Sequence, residues 1–245
     1  MATFQIKKAA ATLLKARRER KPIPLPSPGP GDTAQAFAVQ DAVAATLGPV
    51  AAWKVGRGGN AAPFAQDHLR VSPCRWPAEA FLRPAIELEI AFLLDRDIGR
   101  NGEAPSDDEL RGAIRSVHAA IEIADSRFDT WPVPDRLWAL ADHQSAGGLV
   151  VESQGRPWVG APLDRAVVSL LVDGKPAFEG EGTNPGGDPF ALLRELAAHA
   201  AARGGIAAGT YVTTGSLTGM IFVEPGVEVA GEIAGVGRVE LVLTQ

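Results

Sequence analysis

A chain of 245 residues, 46% of them hydrophobic, can bury one sizeable core or a small domain beside a larger one. Its net charge of −5 argues against nucleic acid as the main partner, and no apolar run approaches the roughly 20 residues that a membrane span requires. The single cysteine, Cys74, can form no internal disulfide, a usage that suits a reducing cytoplasm.

The first twenty-odd residues are basic, Ala-rich and almost free of acids, a composition shared by organellar transit peptides. They are expected instead to form an amphipathic helix with Ile6, Leu13 and Leu14 inward, since neither an apolar signal core nor a small-residue cleavage site follows. Proline at alternate positions from Pro22 to Pro30 predicts an extended connector. Asp32 is placed to cap a helix over Thr33–Leu47, with Gln35 in capping-box position and Gly48-Pro49 ending it. A short strand, Ala51 to Gly56, carries Lys54 between Trp53 and Val55, and a Gly- and Pro-rich loop is expected from there to about Pro84. Lys54 is either a buried proton shuttle with a depressed pKa or a lysine snorkelling from a strand end.

The run Ala85–Leu94 reads as a buried strand, yet it contains Glu87 and Glu89. Side chains alternate along a strand, so both carboxylates share one face while Ile86, Leu88 and Ile90 share the other. Two like charges side by side in apolar surroundings are costly unless a cation or shared protons compensate them. A one-sided wet sheet would alternate in the same way. Ser106 and Glu109 form a capping box that predicts a helix to about Val117. A further apolar segment, Ala119–Asp125, then delivers a third acid, Glu122. Three carboxylates without Cys or His suit a hard divalent cation, with coordination positions left for water and a chelating substrate.

Asp125 and Arg127 are expected to form a structural ion pair, and Ser126–Ser145 a long ordered loop. Val167–Val172 reads as a strand leading through an Asp173-Gly174 hairpin turn into a partner. Asp188 and Pro189 open a helix that Gly204-Gly205 close, and short Gly-punctuated strands fill Tyr211–Leu243. Within them, Thr213–Gly219 offers hydroxyls and close amides that could hold a carboxylate, or is a plain turn cluster. No Gly-rich phosphate fingerprint or Walker-type lysine points to a doubly wound nucleotide fold. The expectation is an α+β protein with a small N-terminal α/β region, residues 1–80, and a β-rich body, residues 81–245.

Five segments together resemble the 2-keto-4-pentenoate hydratase group of the fumarylacetoacetate hydrolase superfamily. They are Trp53-Lys54-Val55-Gly56, Ile86–Ile90, Ile121–Arg127, Ala141–Ser145 and Thr214–Gly219. The resemblance implies a C-terminal mixed β-roll, Mg²⁺ or Mn²⁺ on Glu87, Glu89 and Glu122, and Lys54 as the acid/base residue. It also places Asp142, Thr214, Ser216 and Leu217 near a small 2-oxo acid substrate. A cytoplasmic homo-oligomer in aromatic catabolism is implied, possible association with a pathway enzyme included. The reaction implied is hydration of a short 2-hydroxy-2,4-dienoate. The alternatives are decarboxylation of a 2-oxo acid of the 4-oxalocrotonate type, C–C bond hydrolysis, and a non-catalytic partner subunit on the same scaffold. The segment Arg57–Pro84 and the sequence Gly187-Asp188-Pro189-Phe190 depart from the family pattern.

Overall fold

Residues 3–245, described by a computed structural model, form two stacked β-sheets flanked by helices; Met1 and Ala2 lie outside the described residues. Helix α1 (Ile6–Glu19) buries Ala9, Ala10, Leu13 and Ala16, a three-to-four-residue spacing that keeps one face apolar and the basic side chains outside. Helix α2 (Thr33–Leu47) starts at Asp32, whose carboxylate accepts from Gln35 N at 2.8 Å. The expected box is only half made, because the Gln35 side chain accepts from Gly31 N rather than Asp32 N.

Strand β1 (Val50–Gly56) is followed by three short strands where a loop is expected: β2 (Asn60–Ala65), β3 (Leu69–Val71) and β4 (Cys74–Pro77). Pro63 does not prevent β2, because β2 is the edge of its sheet and needs fewer amide donors there. Strand β5 (Ala85–Leu94) is as expected. Helix α3 (Asp107–Ala113) has its full capping box but ends before Val117. The β-branched Ile114 and Val117 join a longer strand, β6 (Ile114–Ala124), because pairing with β5 outweighs their helical spacing. The expected loop 126–145 contains a helix, α4 (Arg136–Ala141), capped by Asp135 through Leu137 N and Trp138 N. Strand β7 (Ala146–Val151) escapes sequence reading because Gly147-Gly148 looks like a turn. Gly148 is instead a close-approach position: a Cβ there would lie 2.6 Å from the Trp76 ring.

Strands β8 (Arg165–Val172) and β9 (Lys175–Thr183) flank the Asp173-Gly174 turn, whose residues have φ of 50° and 71°, the left-handed pair a tight hairpin requires. Helix α5 (Pro189–Ala201) follows its Asp188 cap, and β10 (Tyr211–Ser216), β11 (Ile221–Phe222), β12 (Glu228–Ile233) and β13 (Gly237–Thr244) complete the chain. One sheet runs β2-β1-β10-β5-β6-β7-β3, with β11 beside β5; the other runs β4-β13-β12-β8-β9. The division expected at residues 80 and 81 therefore runs through both sheets, since β1 pairs with β10, β3 with β7, and β4 with β13.

The core lies between the sheets. Ile86, Leu88, Ile90, Phe92 and Leu94 fill it from β5, and Leu88 packs so closely on β12 that a Cβ at Gly231 would come 2.5 Å from it. Burying each such side chain stabilises the fold by about 1.5–3 kcal/mol. A second apolar cluster ties α1, α2 and α4 together through Leu13, Phe37, Val39, Trp138 and Leu140. A smaller apolar cluster, of Ala52, Phe64, Ala91, Ala120, Ala146, Leu149 and Val151, lies apart from this inter-sheet core. Among the described residues, no helix is long and apolar enough to cross a membrane.

Candidate metal centre and its lysine

Antiparallel pairing sets Glu87 of β5 directly opposite Glu122 of β6, while Glu89 lies opposite Ala120 and, on its other side, Ser216 of β10. One oxygen from each of Glu87, Glu89 and Glu122 falls within 4.8 Å of the others. Glu89 and Glu122 are buried and Glu87 is half-buried, so the cluster opens to solvent on the Glu87 side. Lys54 reaches the same cluster from β1, donating to Glu122 Oε1 in a very short contact and to the Gln144 carbonyl at 3.1 Å.

The charges settle what the cluster is fit to hold. Three carboxylates and one ammonium leave a surplus of two negative charges, the charge of one divalent cation. Glu122 Oε2 is buried without a hydrogen-bond partner, an orphan acceptor that costs free energy unless a ligand occupies it. An all-oxygen donor set suits a hard cation such as Mg²⁺ or Mn²⁺. Without a cation the cost shows as proton uptake. Burial, then the Glu87 charge, pushes Glu89 up to about 7; burial, partly opposed by Lys54, pushes Glu122 up to about 8.

Lys54 departs from expectation. Burial pulls its ammonium down, but Glu122, Glu87 and Glu89 together outweigh burial, and its pKa is raised, not depressed. Burial alone predicts the opposite direction, and the three carboxylates at the end of the side chain reverse it.

These shifts fix a pH dependence. A carboxyl whose folded pKa is raised contributes stability below its unfolded pKa, near 4.5, and that contribution is lost as pH rises through the folded value. Metal-free protein is therefore expected to lose stability as pH rises toward 8, and divalent cations to bind more tightly across that interval as protons leave Glu89 and Glu122. Urea unfolding with and without Mg²⁺ between pH 5 and pH 9 reads this; parallel curves would contradict it.

The carbonyl on Lys54 comes from an unusual turn. His143, Gln144 and Ser145 all have positive φ, 56°, 53° and 60°, although none is glycine. Such backbone costs about 1–2 kcal/mol per residue and persists only where the surroundings over-determine it. Arg127 supplies that constraint. It donates to the Asp142 carbonyl at 2.9 Å and to the Ala146 carbonyl at 3.3 Å, gripping both ends of the turn. Its Nε meets Asp142 Oδ1 at 2.5 Å, while Asp142 Oδ2 accepts from Arg127 N and Ser126 Oγ.

The expected Asp125–Arg127 pair is thus a minor contact at 3.9 Å, because Asp125 Oδ1 is engaged by the amides of Leu82 and Arg83. Asp142 is the principal partner of Arg127. Both its oxygens are taken, which leaves it to position the turn rather than to face the cluster.

The other residues expected near the substrate divide. Ser216 is buried beside Glu89 with an unpartnered hydroxyl. Thr214 bonds to the Ile90 carbonyl at 3.3 Å, and the side chain of Leu217 joins the inter-sheet core. Thr213 and Gly215 belong to the segment expected to offer hydroxyls and close amides; Thr213 is buried beside Glu89, and the Gly215 amide donates to Glu89 at 3.1 Å. Thr213 aligns with Lys54 in the β1 register.

No family model matches the chain. A 2-keto-4-pentenoate hydratase of Paraburkholderia phymatum is 31% identical over 66% of this chain and 62% of its own length. A 4-oxalocrotonate decarboxylase of a Pseudomonas species is 28% identical over 67% of this chain and 62% of its own. The chain thus covers less than two thirds of these curated relatives. The structure of 4-oxalocrotonate decarboxylase from Pseudomonas putida G7, complexed with magnesium and adipate, superimposes with a TM-score of 0.82 at 20% identity, over 99% of this chain and 100% of that one. In sequence the chain is thus similar to 2-keto-4-pentenoate hydratases, and its fold is that of the 4-oxalocrotonate decarboxylase structure.

Proposed function

We propose that the chain is a metal-dependent lyase that adds water to a short 2-hydroxy-2,4-dienoate, giving a 4-hydroxy-2-oxo acid. The observation that carries this reading is a single lysine inserted into a buried cluster of three carboxylates. Sequence similarity to a hydratase supports the choice of reaction.

Glu87, Glu89 and Glu122 would hold Mg²⁺ or Mn²⁺, which when bound supplies positive charge to the negative oxygen that develops at the 2-position of the substrate. Ketonisation moves the 2-hydroxyl proton to the far end of the diene and leaves a 2-oxo-3-enoate. Water then adds at C4 as C3 gains a proton. Lys54 is the group placed to move these protons. With a divalent cation balancing two of the three carboxylate charges, the pull that raises its pKa weakens and burial, which lowers it, counts for more. The Gln144 carbonyl holds the ammonium in place, and the free hydroxyl of Ser216 is available to orient the substrate.

Lys54→Met is expected to lower kcat by about 10²–10⁴-fold, the usual worth of a positioned acid/base group, with KM little changed. Steady-state loss of dienoate absorbance measures it, and undiminished turnover would remove Lys54 from the reaction. Similarity to a decarboxylase favours a second reading in which the same site releases CO₂ from a 2-oxo acid. Assay of CO₂ against hydrated acid separates the two. A homo-oligomer belongs to the same proposal, and light scattering of the purified chain reads it.

A further inference from the structure

A second pocket, of about 240 Å³, is lined by Arg127 and Gly147 among others and shares no residue with the carboxylate cluster. Arg17, Arg20, Arg70 and Arg127 line it together with Asp67 and Asp125. Two of these arginines are accounted for. Arg127 is paired with Asp142, and Arg20 lies 3.8 Å from Glu79 at the exposed rim.

The other two are not. Among the described residues, neither Arg17 nor Arg70 has a carboxylate within 4.0 Å. Arg17 spends one of its five N–H donors, on the Ala146 carbonyl at 3.4 Å. Arg70 is fixed by its own loop, donating through Nη1 to the Asp67 and Leu69 carbonyls and stacking 4.6 Å over the Trp76 ring. Its remaining donors are unspent. Burial and the Arg127 charge push Arg17 down to about 9, and His68 beside it is held neutral, its pKa pushed down to about 4. Arg17 and Arg70 thus keep unspent donors, and guanidinium forks of this kind match planar or tetrahedral oxyanions.

We propose that this pocket binds a small dianionic oxyanion, a phosphate group either free or carried on a small ester, at a site separate from the carboxylate cluster. Two guanidiniums with no carboxylate within 4.0 Å offer their forks to one oxyanion, and a volume of about 240 Å³ admits a phosphate with a short organic substituent.

Calorimetric titration of the full chain in Mg²⁺ buffer tests this, with inorganic phosphate and glycerol 3-phosphate as separate probes and acetate as the monoanionic control. Saturable binding of at least one phosphate probe, more tightly than acetate, is expected. The tighter probe identifies whether the free ion or an ester is the occupant. Arg17→Ala and Arg70→Ala are each expected to weaken it at least about tenfold. Arg70→Ala decides the matter if Arg17→Ala fails to fold. Glu122→Gln keeps the arginines and is expected to leave phosphate affinity unchanged. Absence of saturable binding, equal affinity for acetate, indifference to Arg70→Ala, or loss of binding in Glu122→Gln would each overturn the proposal.

Discussion

Glu122→Gln is expected to weaken Mg²⁺ binding by at least about 100-fold, more than is lost on removing a residue that only supports a metal ligand, and to abolish turnover with it. The substitution keeps the size of the side chain but removes one of three charges and the acceptor that faces Lys54. With two carboxylates and the Lys54 ammonium left, the surplus negative charge falls to one, and a divalent cation is no longer balanced. Glu122 is fully buried, and it is the one member that touches both the cluster and the lysine. Glu87→Gln, at the half-buried side, is expected to weaken the metal less, because water can replace its oxygen there. Calorimetry on both variants gives the order directly. Equal or reversed losses would mean that burial does not set the hierarchy within the cluster.

Arg127→Met is the second large effect, and it falls on stability. Removing one partner of a buried ion pair leaves the other uncompensated, at a cost of about 3–5 kcal/mol. Asp142 and Arg127 are 2% and 1% exposed, so water cannot take over the lost contacts. The turn also loses the two carbonyl contacts that hold His143, Gln144 and Ser145 in left-handed backbone. Once freed, the Gln144 carbonyl no longer aims at Lys54, so turnover is expected to fall in whatever fraction stays folded. The double variant Arg127→Met/Asp142→Leu separates the two roles. Removing both charges is expected to restore part of the stability, while turnover stays low because the turn is still ungripped. Urea unfolding beside steady-state assay reads both quantities. Full recovery of turnover in the double variant would deny Arg127 its positioning role.

Much of the centre was legible because strands encode it locally. Alternation in Ala85–Leu94 places Glu87 and Glu89 on one face without knowledge of any partner, and the apolar setting of Glu122 marks it as the same kind of residue. What joins them is register, β5 against β6, which no local pattern prints. The same limit hid the pairing of Arg127 with Asp142, fifteen residues away, behind the nearer Asp125. The raised pKa of Lys54 was not legible, because burial can be inferred from Trp53 and Val55 whereas the three facing charges come from other strands. The loops expected at 57–84 and 126–145 hold strands and a helix for a related reason. Gly and Pro read as breaks in sequence, yet Pro63 sits on an edge strand and Gly148 makes room for the Trp76 ring.

The central claim is that Glu87, Glu89 and Glu122 share one divalent ion beside Lys54. A crystal grown with Mn²⁺ and oxalate, with the metal located by anomalous scattering, tests it most directly. The account predicts one strong peak within bonding distance of all three carboxylates, with oxalate completing its coordination on the Glu87 side. A peak elsewhere, or a cluster that stays protonated and metal-free at saturating Mn²⁺ above pH 8, would contradict it.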